Sequence, residues 1–198
     1  MALPGAEEIR ALHLRHAPTQ EAFDLVHTHC VIVRHITREL LARAPVRADT
    51  ELALAGALLH DIGVYRLYGP DGTLDGADYV RHGALGHELL REEGLPEELC
   101  RFCSHHTGVG LTAHDVRAQR LPLPPGDYLA ETMEERAVMY ADKFHSKTAP
   151  PVFLTAAAYA RHVVRFGADK VRSFDRLRAE FGEPDVRALA ARFGHAVR

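Results

Sequence analysis

The stretch ELALAGALLHDIG, residues 51–63, is apolar nearly all round, so a helix built from it has no face to give to water and must lie in the middle of whatever the chain forms. Other helices must wrap it, and the rest of the chain supplies them, because helical periodicity dominates and no convincing run of strand alternation is found. The run ends in His60 and Asp61, where the helix dipole presents partial negative charge. A buried carboxylate there is unfavourable twice over, by desolvation and by the dipole, unless a cation sits beside it.

Two other carboxylate or imidazole side chains interrupt apolar faces in the same way. Val26, His29, Val33, Ile36 and Leu40 follow the 3, 4, 3, 4 spacing of a core-facing helical stripe, with His29 as one of its members. His27 and His35 fall off that stripe and are expected at the solvent side. In TMEERAVMYADKFH, the residues Val138, Asp142 and His145 share one face, flanked by Ala141 and Phe144. A lone histidine on such a stripe is ordinarily a neutral core residue, and a lone carboxylate is ordinarily salt-bridged. One metal ion would explain all three interruptions, since two neutral imidazoles and two carboxylates make a sound divalent transition-metal site.

Capping signals organise the chain. A long helix is expected over about 20–44, stopped before Pro45, and a second over about 49–62, capped by Asp49 or Thr50 and closed by Gly63. YGPDGTLDGAD (68–78) reads as a Gly/Asp-rich loop, Asp78 as the cap of a helix ending at Gly94, and Pro96 as the first turn of the next. Thr112 with Asp115, and Thr132 with Glu135, have capping-box form and place helix starts at 112 and 132. LPLPPGDYLAE between them reads as an ordered extended connection, and helices follow at about 152–166, 169–181 and 184–193. The expectation is one all-α domain over 1–198.

With 198 residues, 46% apolar and 26% charged, the chain has the profile of an ordinary globular protein. Its net charge of −3 gives no footing for a non-specific nucleic-acid surface. No apolar stretch is long enough to span a bilayer, and MALPGAEEIR lacks the regions of a signal peptide, so a cytoplasmic location without nucleic-acid or membrane partners is expected. The three cysteines, Cys30, Cys100 and Cys103, read as small apolar residues rather than a disulfide framework, despite the C-x-x-C form of the last two. Fourteen histidines are an unusual number, which calls for either metal chemistry or coincidence.

At this point the pattern resembles the HD-domain superfamily of metal-dependent phosphohydrolases, in its HDIG-containing branch. The family's minimal pattern, His…His-Asp…Asp, maps onto His29, His60, Asp61 and Asp142. The HxxxG helix of its multi-histidine branch is similar to His82-Gly-Ala-Leu-Gly86, the downstream histidine motif to His105-His106-Thr107, and the closing helix to Val138-Met-Tyr-Ala-Asp142. The resemblance covers about 23–147, and the segment from HHTGVGLT through LPLPPGDYLAETMEE is similar to one subgroup of that superfamily. It implies a compact helical bundle of at least five core helices, followed by C-terminal helices at about 152–195 that are candidates for a homodimer contact.

The resemblance also implies one or two divalent transition ions (Fe, Mn, Co, Ni or Zn). His29, His60 and Asp142 would hold the first and His82 with His105, His106 or both the second. Asp61 would bridge the two as the catalytic ligand, orienting the hydroxide that they generate. The implied activity is hydrolysis of a small phosphate ester, a nucleotide in first place. Lys143, Lys147, Arg66 and Arg81 are the cationic candidates for gripping phosphate, the two arginines bracketing the 68–78 loop as a lid. The alternatives are a diiron oxygenase on the same ligands and a nucleotide-sensing module without turnover.

Overall fold

Thr19, Asp49, Thr112, Thr132 and Thr155 each accept a hydrogen bond from a backbone N–H of the first turn that follows them, and these caps set where the main helices begin. The computed structural model describes residues 3–44 and 47–198. Ten helices run in chain order: α1 (Ala6–His16), α2 (Gln20–Arg43), α3 (Thr50–Leu59), α4 (His82–Glu92), α5 (Glu97–Ser104), α6 (Ala113–Ala118), α7 (Met133–Asp142), α8 (Ala156–Val163), α9 (Ala168–Phe181) and α10 (Val186–Phe193). Short 3-10 segments cover Ile62–Leu67, Tyr79–Arg81 and Val164–Phe166. Pro45, expected to stop α2, lies outside the described residues; the last helical residue is Arg43.

The apolar helix is the axis of the bundle. Every residue of α3 from Ala53 to Leu59 is buried, and α2, α5 and α7 pack around it. The α2 stripe of Val26, His29, Val33, Ile36 and Leu40 is fully buried against the same core, at 0–1% exposure. With α4 laid on α5 and on the 3-10 segment after α3, this makes the expected five-helix core. Cys30, Cys100 and Cys103 are buried thiols; Cys103 donates to the Leu59 carbonyl at 3.3 Å and acts as a small core residue.

The structure departs from the sequence expectations at five places. The α3 helix ends at Leu59, not at Gly63, and the chain continues as a 3-10 segment through Gly63. That glycine is required by a close approach: a Cβ there would stand 2.1 Å from the His82 carbonyl oxygen and 2.2 Å from the Gly86 nitrogen. Asp78 does not cap α4; a 3-10 turn intervenes and its carboxylate pairs with Arg81 at 3.0 Å. His27 and His35 are half-buried rather than solvent-facing, His27 stacking on Phe23 with ring centroids 4.8 Å apart.

The fourth departure is at the C-terminal side. The helix expected from 152 starts only at Ala156, because Val152–Phe153 form a strand (β2) between β1 (His145–Ser146) and β3 (Ala196–Val197). β1 pairs antiparallel with β2 and β3 parallel to it, with Val152 opposite Ala196. This small sheet ties the end of the chain to the residues that follow α7. The remaining helix not anticipated, α1, docks through Ile9, Leu12 and His13; the His13 ring meets the Tyr65 hydroxyl at 2.9 Å and the Leu58 carbonyl at 2.8 Å.

Candidate metal centre

Five elements bring a ligand-type side chain to one point. His29 comes from the middle of α2, His60 and Asp61 from the turn ending α3, His82 from the first residue of α4, His106 from just past α5, and Asp142 from the last residue of α7. Three of these positions lie at or beyond helix C-termini, whose partial negative charge favours a cation between them.

The carboxylate of Asp61 divides the cluster in two. Its Oδ2 lies 3.2 Å from His29 Nε2 and 3.6 Å from His60 Nε2, while Asp142 Oδ1 lies 3.0 and 3.6 Å from the same two nitrogens. Its Oδ1 lies 3.4 Å from His82 Nε2 and 3.5 Å from His106 Nε2. His29, His60, Asp61 and Asp142 thus form one group able to hold a metal ion, and Asp61, His82 and His106 a second.

Hydrogen bonds fix which ring nitrogens carry lone pairs. The Nδ1 of His60 faces the Ala57 carbonyl at 2.8 Å, that of His82 the Tyr79 carbonyl at 2.6 Å, and that of His106 the Phe102 carbonyl at 3.0 Å. A carbonyl only accepts, so each Nδ1 carries the proton and each Nε2 presents a lone pair to the centre. Yet the Nε2 atoms of His82 and His106 are only 2.9 Å apart. Lone pairs held that close repel unless a cation lies between them. Burial, the largest influence, pushes His82 down to about 3 and lowers His106, so protonation is not the remedy. Asp61 Oδ1 itself is buried and, among the described residues, has no hydrogen-bond partner. Donor set, tautomers and orphaned oxygen all fit a divalent cation in each group.

Two lysines complete the electrostatics. The Lys147 ammonium pairs with Asp61 Oδ2 and lies 5.5 Å from the Tyr79 ring centroid; Lys143 bonds Asp142 Oδ2 at 2.6 Å and the His106 carbonyl at 3.0 Å. Burial alone would push the Asp61 and Asp142 carboxyls up, but Lys147 and Lys143 respectively, helped by the histidines, hold both well below the usual carboxylate range. Conversely, burial disfavours the two ammonium groups, but the carboxylates raise both above the ordinary lysine value.

A cavity of about 770 Å³ opens from Asp61, His82, His106 and Asp142 to the surface, with Lys143, Lys147 and Tyr79 in its wall. The remaining candidates lie elsewhere. His105 is turned aside, its Nδ1 meeting Ser104 Oγ at 2.6 Å and the Arg101 carbonyl at 3.2 Å. Arg66 pairs with Glu92 and Arg81 with Asp78, both on the outer surface. Leu74 of the 68–78 loop does reach the cavity wall.

His145 and His195 are the residues sequence reasoning passed over. His29 Nδ1 meets His145 Nδ1 at 2.9 Å, and His145 Nε2 meets His195 Nδ1 at 3.0 Å. A His29 Nε2 lone pair given to a cation would put the proton on Nδ1, which would then donate to His145, and His145 Nε2–H to His195. Sequence did place His145 on the Asp142 face; His195 is fifty positions further on and carries no local signal.

A family model described as HD domain matches residues 26–147. The chain belongs to the HD domain family. Among relatives, the uncharacterized protein MJ0778 of Methanocaldococcus jannaschii is 38% identical over 117 residues, 58% of this chain and 62% of that protein. The tRNA (cytidine(56)-2'-O)-methyltransferase of Picrophilus torridus is 34% identical over 128 residues, 65% of this chain but 33% of that protein. The chain therefore spans less than two-thirds of the length of these relatives. Among solved structures, the HD domain of the phosphodiesterase PgpH from L. monocytogenes superposes with a TM-score of 0.51 at 16% identity, covering 86% of this chain and 95% of that one. The same domain solved with cyclic-di-AMP superposes equally well, at 17% identity, over 90% of this chain and 97% of that one. This HD protein shares their helical fold, and its His/Asp groups are of the kind that holds divalent metal in HD domains.

Proposed function

We propose that this HD protein is a divalent-metal-dependent phosphohydrolase acting on a small phosphate ester, a nucleotide in the first instance. The observation that carries the reading is the two-faced Asp61 carboxylate, with one oxygen for each histidine group and one of them orphaned in the interior. His29, His60, Asp61 and Asp142 would hold one ion, and Asp61, His82 and His106 the other. Bound divalent ions there would acidify a water and neutralise phosphate oxygens. The chain's own contribution is to orient that centre and to hold the substrate. Asp61 would offer one oxygen to each group, and the Nδ1 contacts of His60, His82 and His106 lock their rings. Lys143 and Lys147 line the inner end of the cavity and would meet a phosphate there, each also paired with a carboxylate of the centre, whereas Arg66 and Arg81 pair on the outer surface, away from the cavity lining. The PgpH domain bound to cyclic-di-AMP supports a phosphate ester at the level of a shared fold.

The test is metal content together with phosphate release. The protein purified with Mn, Co, Ni, Zn or Fe is expected to release phosphate from a nucleotide panel, and Asp61→Asn to lose both bound metal and turnover while keeping its helical circular dichroism. Unchanged metal content in Asp61→Asn would sink the site. Two irons with an oxygen-dependent product, and no phosphate release, would overturn hydrolysis in favour of oxygenase chemistry on the same ligands.

A further inference from the structure

The cavity has two unlike ends. Its inner end carries the charged groups already described. Its outer part is walled mainly by apolar side chains, and one helix face supplies a continuous strip of it. Tyr159, His162 and Val163 of α8, with Phe166 of the 3-10 turn that continues it, all line the cavity. Their spacing of i, i+3, i+4 and i+7 is that of a single helical stripe. The stripe runs from the metal end to the mouth. Tyr159 is buried, at 7% exposure, whereas Phe166 is 43% exposed.

At the mouth the aromatic groups pack against one another, the His162 and Phe166 rings tilted by 58°. The His162 and Phe166 rings are 5.6 Å apart, the Arg165 guanidinium stands 4.6 Å over the Phe166 ring, and Arg165 Nη2 meets His162 Nε2 at 3.1 Å. An exposed Phe ring with a guanidinium over it, at the rim of an apolar chamber, is a stacking platform for a flat aromatic group. All of these residues lie beyond 147, outside the segment that matches the family model.

The charges along the wall limit the other half of the ligand. Lys147 is neutralised by Asp61, Lys143 by Asp142 and Lys170 by Asp115 at 2.5 Å, which leaves Arg165 at the mouth. Such a wall can match one phosphate at the inner end, where ions would add their charge; between that end and Arg165, itself held over Phe166 and against His162, no lysine or arginine of the described lining is left without a carboxylate for a further buried phosphate. An interior of about 770 Å³ is within the usual range for a small-molecule pocket, roughly 300–1,000 Å³.

Building on the phosphohydrolase reading above, we infer that the α8 stripe is a nucleobase subsite and that the ligand is a nucleoside monophosphate. The phosphate lies at Lys143 and Lys147 and the base against His162 and Phe166. The subsite makes the C-terminal extension, not the matched core, the determinant of which phosphate ester is accepted.

The experiment uses the metal-loaded full chain with AMP, ATP and glycerol 3-phosphate, and isothermal titration with AMP and with adenosine. AMP is expected to be the preferred substrate, and adenosine to bind weakly without any phosphate. In Phe166→Ala and His162→Ala, both exposed positions that leave the core intact, the ratio of kcat/KM for AMP over glycerol 3-phosphate is expected to fall about tenfold, mainly through KM. ATP or glycerol 3-phosphate turned over as well as AMP, or variants that leave the ratio and the AMP affinity unmoved, would overturn the subsite while leaving the phosphohydrolase standing. No phosphate release from any of the three, with AMP still bound and its affinity still lost in Phe166→Ala, would overturn the hydrolase reading and keep the subsite.

Discussion

Lys147 and a metal ion have the same target. The ammonium sits on Asp61 Oδ2, the oxygen that also faces His29 and His60, so an ion entering the first group meets a competing cation already paired there. Lys147→Met is therefore expected to raise metal affinity about tenfold, read by chelator competition, and to weaken inhibition by inorganic phosphate. A variant that weakens both would mean that Lys147 helps to hold the metal site together. His145 acts on the same centre from behind. Its contact with His29 Nδ1 keeps the His29 lone pair turned inward, and loss of such an outer partner typically costs about 10–100-fold in metal affinity. His145→Ala should show a loss of that order, and His195→Ala a smaller one, in the same titration; equal affinity in all three proteins would remove the imidazole chain from the account.

At the scale of elements, the glycine of the His-Asp-Ile-Gly run positions the second metal group. Gly63 lets the 3-10 segment lie directly on α4, where a Cβ would stand 2.1 Å from the His82 carbonyl. Gly63→Ala must push α4 outward, taking His82 with it. Overpacking of this kind costs about 1–3 kcal/mol, occasionally more, so the midpoint of urea unfolding should fall and the protein should bind less metal per chain. Unaltered stability would mean that the approach is looser than the distances imply. What sequence could and could not reveal divides along the same line. The caps at Thr112, Thr132 and Asp49, the buried α2 stripe and the all-apolar α3 were legible because each is a local pattern with a physical cause. The two-residue strands were not, since period-2 alternation needs more residues than β1, β2 or β3 contain. Nor could sequence choose between His105 and His106. That choice depends on how the chain leaves α5, where His105 closes on the Arg101 carbonyl and His106 alone turns inward.

For the whole molecule, the buried histidines tie stability to pH. His13 is fully buried between Leu58 and Tyr65, and burial, its largest influence, lowers it to about 3 from an ordinary value near 6.5. His82 is lowered to about 3 and His145 to about 2, again chiefly by burial. Between about pH 6.5 and 3 the unfolded chain therefore binds protons at these positions that the folded chain refuses. Stability contributed by a group of depressed pKa is present above its unfolded value and lost as pH falls, at up to about 1.4 kcal/mol per pH unit for each such histidine. Metal-free protein should thus lose stability steeply on acidification below about pH 6.5, measured by urea unfolding at a series of pH values. His13 isolates the effect, because it belongs to α1 and to neither metal group. His13→Gln lowers stability at neutral pH by disturbing its two contacts, but its plot of stability against pH should be shallower by up to one proton across that window. Parallel plots for the two proteins would show that His13 takes up its proton without unfolding, and the acid sensitivity would then have to come from the histidines of the metal centre.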